Sequence, residues 1–454
     1  MDISTAKNRK VLCIAVPQVP HYVNAGHSLA IFEIAAYLRN KLRVQAMPLD
    51  ASKGDVNWMD LARTLHKEQF DIIAIQHDLG ASFEGLRQFI KYSKEISPQS
   101  KLILFGRQVV KYPKFYQRYG TDAIVESGDY EAGVASFIGL DGSSSMMPKG
   151  ISLRTAGGEW MRAIVPGIVL RPEEISLPDI NEINYAAYDL LYQNDENKFC
   201  GIPDRRELVV PVARGCPIGC KFCEVWQREG KAERRQSVSR VINYIEESFK
   251  ATRFEYVSFY APTFTLRKNW VVDLCNELIK RGSRYPWKCT TALPFLSEDL
   301  VALMAKSGCK RISVGLETLG NDKEWLPEAK RVSKDKFTEV IGWCNKYGIE
   351  LNCFVILGLP RETIKDMEYT AQVVRDSGAR YRPTTLERKL NDDENLTEEI
   401  ISFNAQRRFF KDLSEAEVRR LNVLLFGETR TTRVIDKIPK KEVLHQIESG
   451  EQIE

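Results

Sequence analysis

The stretch "ELVVPVARGCPIGCKFC", Glu207–Cys223, joins an apolar run to a loop with three cysteines, two glycines and a proline. The run reads as a buried strand. The loop then falls at the carboxyl edge of a sheet, where α/β folds keep their chemistry. Three residues separate Cys216 from Cys220, and two separate Cys220 from Cys223. Gly215 and Gly219 permit turns that let three sulfurs converge, while Pro217 limits the loop's freedom. A structural zinc site closes with four ligands, and no His or Cys lies at a fitting distance downstream. Disulfide pairing leaves one thiol over. Three thiolates can instead hold three irons of a [4Fe–4S] cluster, with the fourth iron open to a ligand.

Working outward, an alternating series runs from Leu208 through "FEYVSFYAP", "WKCTTALP", "KRISVGLET", "ELNCFVILGLP" and a weaker "ARYRPTT", with helical stretches between. In "SEDLVALMAKSG", Ser297 reads as an N-cap and Gly308 as a stop. About six βα units predict a partial (β/α)6 barrel of the TIM type, open on one side. Upstream, "KVLCIAVP", "RVQAMPL", "DIIAIQ", "KLILFG" and "DAIVE" read as buried parallel strands. Helical segments such as "FEGLRQFIKYSKEI" separate them. That pattern predicts a doubly wound, Rossmann-like α/β domain. The break "GLDGSSSMMPKG" marks its edge. The expected organisation is a front domain over 1–140, a connector over 141–205, the barrel over 206–385 and a helical, substrate-shaping region over 386–454. In the last, Ser414 and Glu417 form a capping box.

Composition sets outer limits. The 454 residues suit two or three domains, and 43% hydrophobic content supports large cores. With 65 basic against 61 acidic residues and no basic stripe, nucleic acid is not an expected partner. No apolar run approaches the ~20 residues of a membrane span. The opening "MDISTAKNRKVLCIAVPQVP" outlines a signal peptide but reads as a lead-in and first strand, because strand and helix alternate behind it. Ten cysteines are too sparse for a disulfide scaffold, which points to the cytoplasm. Cys13, Cys275, Cys309, Cys344 and Cys353 read as core residues, whereas Cys200 and Cys289 stay open.

Cys-x3-Cys-x2-Cys after the first strand of a partial barrel, with Phe222 before the last Cys, resembles the signature of radical S-adenosylmethionine enzymes. The resemblance covers roughly Leu208 to Pro383. It implies that Cys216, Cys220 and Cys223 ligate the cluster and that its open iron chelates S-adenosylmethionine. Reductive cleavage would then release a 5′-deoxyadenosyl radical that abstracts hydrogen, with a flavodoxin or ferredoxin as electron donor. It also implies that Phe222 packs near the adenine, that Tyr260 contacts the methionyl part, and that Glu317 in "SVGLET" reaches the cofactor. "VILGLPRET" is similar to a "GLPGET" stretch, with Arg361 in place of its glycine. Arg331 reads as a solvated helix-start residue rather than a cofactor contact.

A doubly wound domain ahead of such a barrel resembles the cobalamin-binding, methyltransferase-like branch. "ILFGRQVV" and "AIVESGDYEAG" look like a weakened "GG…GEGE" ending, which implies cobalamin contacts at Gly106, Glu126, Gly128 and Glu131. "PHYVNAGHSLAIFEIAAYLRN", with Gly26, resembles the loop and helix after strand one. The Asp-x-His-x-x-Gly motif that supplies a cobalt ligand elsewhere is absent. His21, His27 and His77 read as surface or loop histidines. The implied reaction is methyl transfer to an unactivated carbon of a small metabolite or peptide. Rearrangement or cyclisation with the same cofactors is the alternative, as is a radical enzyme whose front domain binds no cobalamin.

Overall fold

The computed structural model describes residues 9–18, 29–78, 81–140, 149–192, 206–320, 323–387, 389–405 and 414–426. Aliphatic runs covered on both faces make the first sheet. Its parallel strands are β1 (Lys10–Ala15), β2 (Gln45–Asp50), β3 (Ile72–Gln76), β4 (Lys101–Phe105) and β5 (Ala123–Val125). Their order, β2-β1-β3-β4-β5, reverses beside β1, as in a doubly wound fold. The helix Leu29–Leu42 packs on one face, with Ile31, Ile34 and Leu38 fully buried. Helices Trp58–Glu68 and Phe83–Ile96 cover the other, and Ser82 caps the latter by accepting from the Gly85 amide at 3.1 Å.

The sheet continues past the Gly139–Gly150 break that sequence marks as a domain edge. β6 (Ile151–Arg154) and β7 (Trp160–Met161) extend it antiparallel from β5. Part of the expected connector therefore belongs to the front sheet. Hairpin pairing to an exposed strand edge needs little apolar sequence, so periodicity does not announce it.

The second sheet starts with β8 (Glu207–Pro211). β9 (Ala213–Arg214) and β10 (Arg234–Arg235) form a separate antiparallel pair that brackets the cysteine loop. β11 (Tyr256–Tyr260), β12 (Trp287–Thr291), β13 (Cys309–Glu317), β14 (Glu350–Leu357) and β15 (Arg380–Thr385) complete six parallel strands, in the order β15-β14-β13-β12-β11-β8. The arc is open between its two edge strands. Trp287 anchors it, buried against Phe259 and Phe264 with ring centroids at 5.3 and 5.7 Å. Truncating such a residue costs about 3–5 kcal/mol. Cys289 is buried on β12, an ordinary core residue like the other strand and helix cysteines; Cys200 lies outside the described residues. One apolar cluster runs from the front sheet through Ile180, Tyr185 and Phe254 to the helices around the barrel.

Ser297 and Arg361 depart from local rules. Ser297 occupies the N-cap of helix Glu298–Lys306, but its side chain makes no capping bond. Arg361 sits at φ +64° in the turn after β14, a left-handed conformation that explains why glycine is usual in the stretch it resembles. Its pairing with Glu324 is exposed on both sides and contributes little. Arg361→Gly is therefore expected to raise stability by up to ~1 kcal/mol, strain relief outweighing added unfolded-state entropy. Thermal unfolding reads this out, and a fall in midpoint would show that the arginine side chain is needed there.

The described C-terminal helices, Glu398–Ala405 and Glu415–Phe426, pack on the two cores. Glu398–Ala405 packs on the front sheet's outer face, where Ile400 and Ile401 join Leu390 and Leu396 in its core. Asp392 nearby accepts from the Lys114 and Phe115 amides at 2.7 and 2.8 Å. Glu415–Phe426, opened by the Ser414/Glu417 capping box, lies against helix Ile364–Asp376, where Arg420 pairs with Glu368. Neither lines the cavities described below. Their apolar faces answer to the two cores instead.

Candidate active site

The cysteine loop leaves β9 at the carboxyl edge of the barrel. Gly215 has φ +81° and its backbone lies so close to Ala232 that a Cβ would stand 2.3 Å from the Ala232 carbonyl oxygen. The Cys216 amide donates to the Gly230 carbonyl at 3.1 Å and the Cys223 amide to the Cys220 carbonyl at 3.0 Å. All three thiols are unpaired. Cys220 is buried, the others half-buried. Burial pushes the Cys220 thiol up to about 12 and raises Cys223 also, while the Lys330 ammonium and the neighbouring thiols act on both. Ionising the buried Cys220 and Cys223 thiols is favoured by a bound cation, and loading one releases protons. Among the described residues no three His, Cys, Asp or Glu side chains converge as for a single metal ion. The donor set, three thiols with no fourth protein ligand, fits the three-cornered cluster.

Across from the loop, β13 ends in a bulge. Register shifts between Gly315 and Glu317 against β14, and Glu317 takes φ +60°. A buried carboxylate in strained backbone is a mark of a functional position. Its Oε1 accepts from Lys330 Nζ at 2.9 Å, with side chains only 5% and 13% exposed. Gly315 makes room for this pair, since a Cβ there would meet Glu317 Oε1 at 2.4 Å and Lys330 Nζ at 2.5 Å. Lys330, and not its neighbour Arg331, meets Glu317. Arg331 instead donates to the Leu326 and Glu324 carbonyls. The signal available was a buried glutamate needing a cation, with two candidates side by side.

Phe222 stacks on Trp325, centroids 5.7 Å apart and planes at 24°, beside Leu326, Ile356 and Leu359. Tyr260 at the end of β11 is 49% exposed, and its open surface faces a cavity rather than a packed core.

That cavity, about 360 Å³, is shared by the carboxyl ends of the front strands and the inner face of β8 and β11. Gln76, Asp78, Arg107 and Tyr130 line it from one side, Val209, Pro211, Ser258 and Tyr260 from the other. Arg107 is tied to Asp78 by its amide and Nε at 2.9 and 2.8 Å, and lies 3.6 Å from Glu224, the residue after Cys223. Burial raises the Asp78 carboxyl, but the Arg107 guanidinium outweighs this and holds it at about 2. Gln76 Oε1 and Tyr130 OH are buried without a partner, which suits a polar guest.

Arg214, which lines the same cavity with Glu33, Asp129 and Glu131, bridges the two halves. It contacts Glu33 at 3.1 Å, Glu131 at 2.7 Å and Asp129 at 3.3 Å, and Arg234 adds a second cation to Asp129 at 2.5 Å. Three carboxylates face two guanidiniums. Burial, moderated by Arg214, pushes Glu33 up to about 7. Between the ordinary glutamate range and about 7 the folded chain holds a proton that the unfolded chain releases, so this group costs more stability as pH rises through that window.

The residues expected to contact cobalamin divide. Gly128 borders the cavity, but its φ of +82° serves close packing on Gly167, and Gly106 at φ +123° leaves room for the His77 carbonyl. Both approaches are to the chain's own backbone. Glu131 is engaged by Arg214, and Glu126 accepts from Ser152 and lies 3.6 Å from Arg162. Gly26, His21 and His27 lie outside the described residues. His77, in the segment directly after β3, is not a surface histidine. It is buried at the end of β3 with Nδ1 2.6 Å from Tyr116 OH, and burial lowers it to about 4. It packs on Phe83, in the core of the front sheet's other face.

Known proteins bear on this geometry. Residues 210–374 match the family model of the radical SAM superfamily, and this segment is a radical SAM domain. The chain is 25% identical, over 80% of its length and 76% of the relative, to an uncharacterised methyltransferase of Pyrococcus horikoshii. It is 23% identical to the anaerobic magnesium-protoporphyrin IX monomethyl ester cyclase of Rubrivivax gelatinosus, over 79% of this chain and 64% of that one. Its fold is similar to the radical S-adenosylmethionine methyltransferase TsrM of Kitasatospora setae, with a TM-score of 0.65 and 15% identity over 84% of this chain and 73% of that one. It is also similar to the cobalamin-dependent radical enzyme OxsB with aqua-cobalamin bound, with a TM-score of 0.66 and 17% identity over 81% and 52%. Among the described residues no helix is long and apolar enough to cross a membrane.

Proposed function

We propose that this chain, whose residues 210–374 form a radical SAM domain, is a cobalamin-dependent radical S-adenosylmethionine enzyme that transfers a methyl group to an unactivated carbon. The observation that carries the reading is a single cavity onto which the front strands' carboxyl ends and the barrel's inner face both open, with Glu224 tying the cysteine loop to Arg107. When bound, the cluster and cobalamin supply reductive cleavage of S-adenosylmethionine and carriage of the methyl group.

The chain's own residues have separable tasks. Cys216, Cys220 and Cys223 hold the cluster. Phe222, on its Trp325 partner, offers a flat apolar surface for an adenine. Glu317 accepts hydrogen bonds from a cofactor amine, and Lys330 holds its side chain in place. Tyr260 bounds the cavity from the barrel side, Gln76 and Tyr130 from the front side with unspent hydrogen-bonding atoms. Gly106 and Gly128 shape the front loops through backbone packing, and Glu131 acts through Arg214. An electron donor such as a flavodoxin or ferredoxin, and a reducing compartment such as the cytoplasm, complete the reading.

Anaerobic purification with cobalamin supplied, followed by cobalt analysis, tests the cofactor. About one cobalt per chain is expected. A chain that takes up no cobalt but still cleaves S-adenosylmethionine would overturn the cobalamin assignment and leave the radical barrel standing.

A further inference from the structure

The inward face of the barrel sheet is unlike the Val, Ile and Leu filling of an ordinary barrel. Alternate residues of parallel strands point to one face, and here that face carries Lys288, Arg311, Ser313, Asn352, Arg380 and Arg382 around a cavity of about 210 Å³. Four cations line it, and no Asp or Glu among the described residues does. Glu350 reaches Arg311 at 2.7 Å and Arg380 at 3.3 Å, and Glu207 pairs with Lys288 at 2.5 Å, so two carboxylates answer four cations. Arg382, exposed into this space, makes no ion pair with a carboxylate among the described residues. Burial, then neighbouring Arg311, lowers Arg380, the effect expected where like charges crowd. Ser258 lines both this cavity and the larger one, so the two are neighbours along the barrel.

We infer that the substrate carries an oxyanion, a carboxylate or a phosphate, which the barrel floor holds through Arg382 and Arg311 with Asn352 beside them. This deepens the reading of a radical enzyme and rests on it. Guanidinium forks recognise planar and tetrahedral oxyanions by paired charge-assisted hydrogen bonds. A floor contact of this kind fixes the substrate's depth, and with it which carbon reaches the larger cavity.

The test uses the full chain with its cluster reconstituted, titrated calorimetrically with inorganic phosphate in one arm and succinate in the other. At least one should bind the wild type, and the stronger arm names the source. Arg382→Gln should weaken that ligand about tenfold to a hundredfold. Arg382→Lys should recover part of the loss, and higher ionic strength should weaken the wild type. Arg253→Gln, altering an exposed pair on the outer surface, should leave affinity unchanged. Circular dichroism of each variant establishes that it is folded. Binding of neither ligand, or equal binding by wild type and Arg382→Gln, would overturn the inference. Formation of 5′-deoxyadenosine by the wild type without substrate reads the radical assignment separately, so failure of one is not failure of the other.

Discussion

Cys220→Ala is expected to lower 5′-deoxyadenosine formation from S-adenosylmethionine at least a hundredfold in reconstituted protein. Two thiols cannot hold three corners of the cluster, and the described residues offer no substitute donor at the loop. The loop itself should survive the change. Its shape is set by the Cys216-to-Gly230 and Cys223-to-Cys220 backbone bonds and by the approach of Gly215 to Ala232, none of which uses a sulfur. Far-ultraviolet circular dichroism of the variant should therefore match the wild type while iron content falls. A variant that keeps its iron and its cleavage rate would remove Cys220 from the cluster.

The second large effect lies at Arg214. Replacing it with methionine keeps the stem's volume but leaves Glu33 and Glu131 buried together, with Arg234 engaged on Asp129. Breaking a buried pair in this way costs about 3–5 kcal/mol. Because the pairs join the front helix Leu29–Leu42 to β9, the loss should also loosen the front sheet from the barrel. Urea unfolding at pH 7 should show the midpoint falling sharply, and the double variant Arg214→Met, Glu131→Gln should regain part of it. The deficit should shrink at acid pH, where the stranded carboxylates take up protons. A midpoint unchanged at pH 7 would mean that the cluster of charges contributes nothing net.

What the chain displays openly is whatever depends on local pattern. Every predicted strand of both sheets corresponds to an observed one because aliphatic runs such as "DIIAIQ" and "KLILFG" are covered on both faces and leave no ambiguity of period. The cysteine loop was legible because chemistry dictates its spacing. The pairings across the interface were not. Arg214 reads as the residue before a motif, yet its partners are 85, 83 and 181 positions away in chain order at Asp129, Glu131 and Glu33. Lys330 was missed for the same reason, since its meaning comes from a carboxylate at the end of β13. The weakened "GG…GEGE" ending of the front domain has further work inside the fold, at Gly167, Ser152 and Arg214, that a motif alone does not reveal. The barrel floor escaped because inward-facing cations alternate with core residues one strand at a time, and only closure of the arc brings Lys288, Arg311, Arg380 and Arg382 together.

The central claim is an iron–sulfur cube with one metal corner left free by the protein. Electron paramagnetic resonance of the reduced, reconstituted chain, recorded before and after adding S-adenosylmethionine, tests it most directly. The account predicts about four irons per chain and a signal that changes shape when the compound binds. A signal indifferent to the compound, or a loop loaded with zinc under four protein ligands, would contradict it.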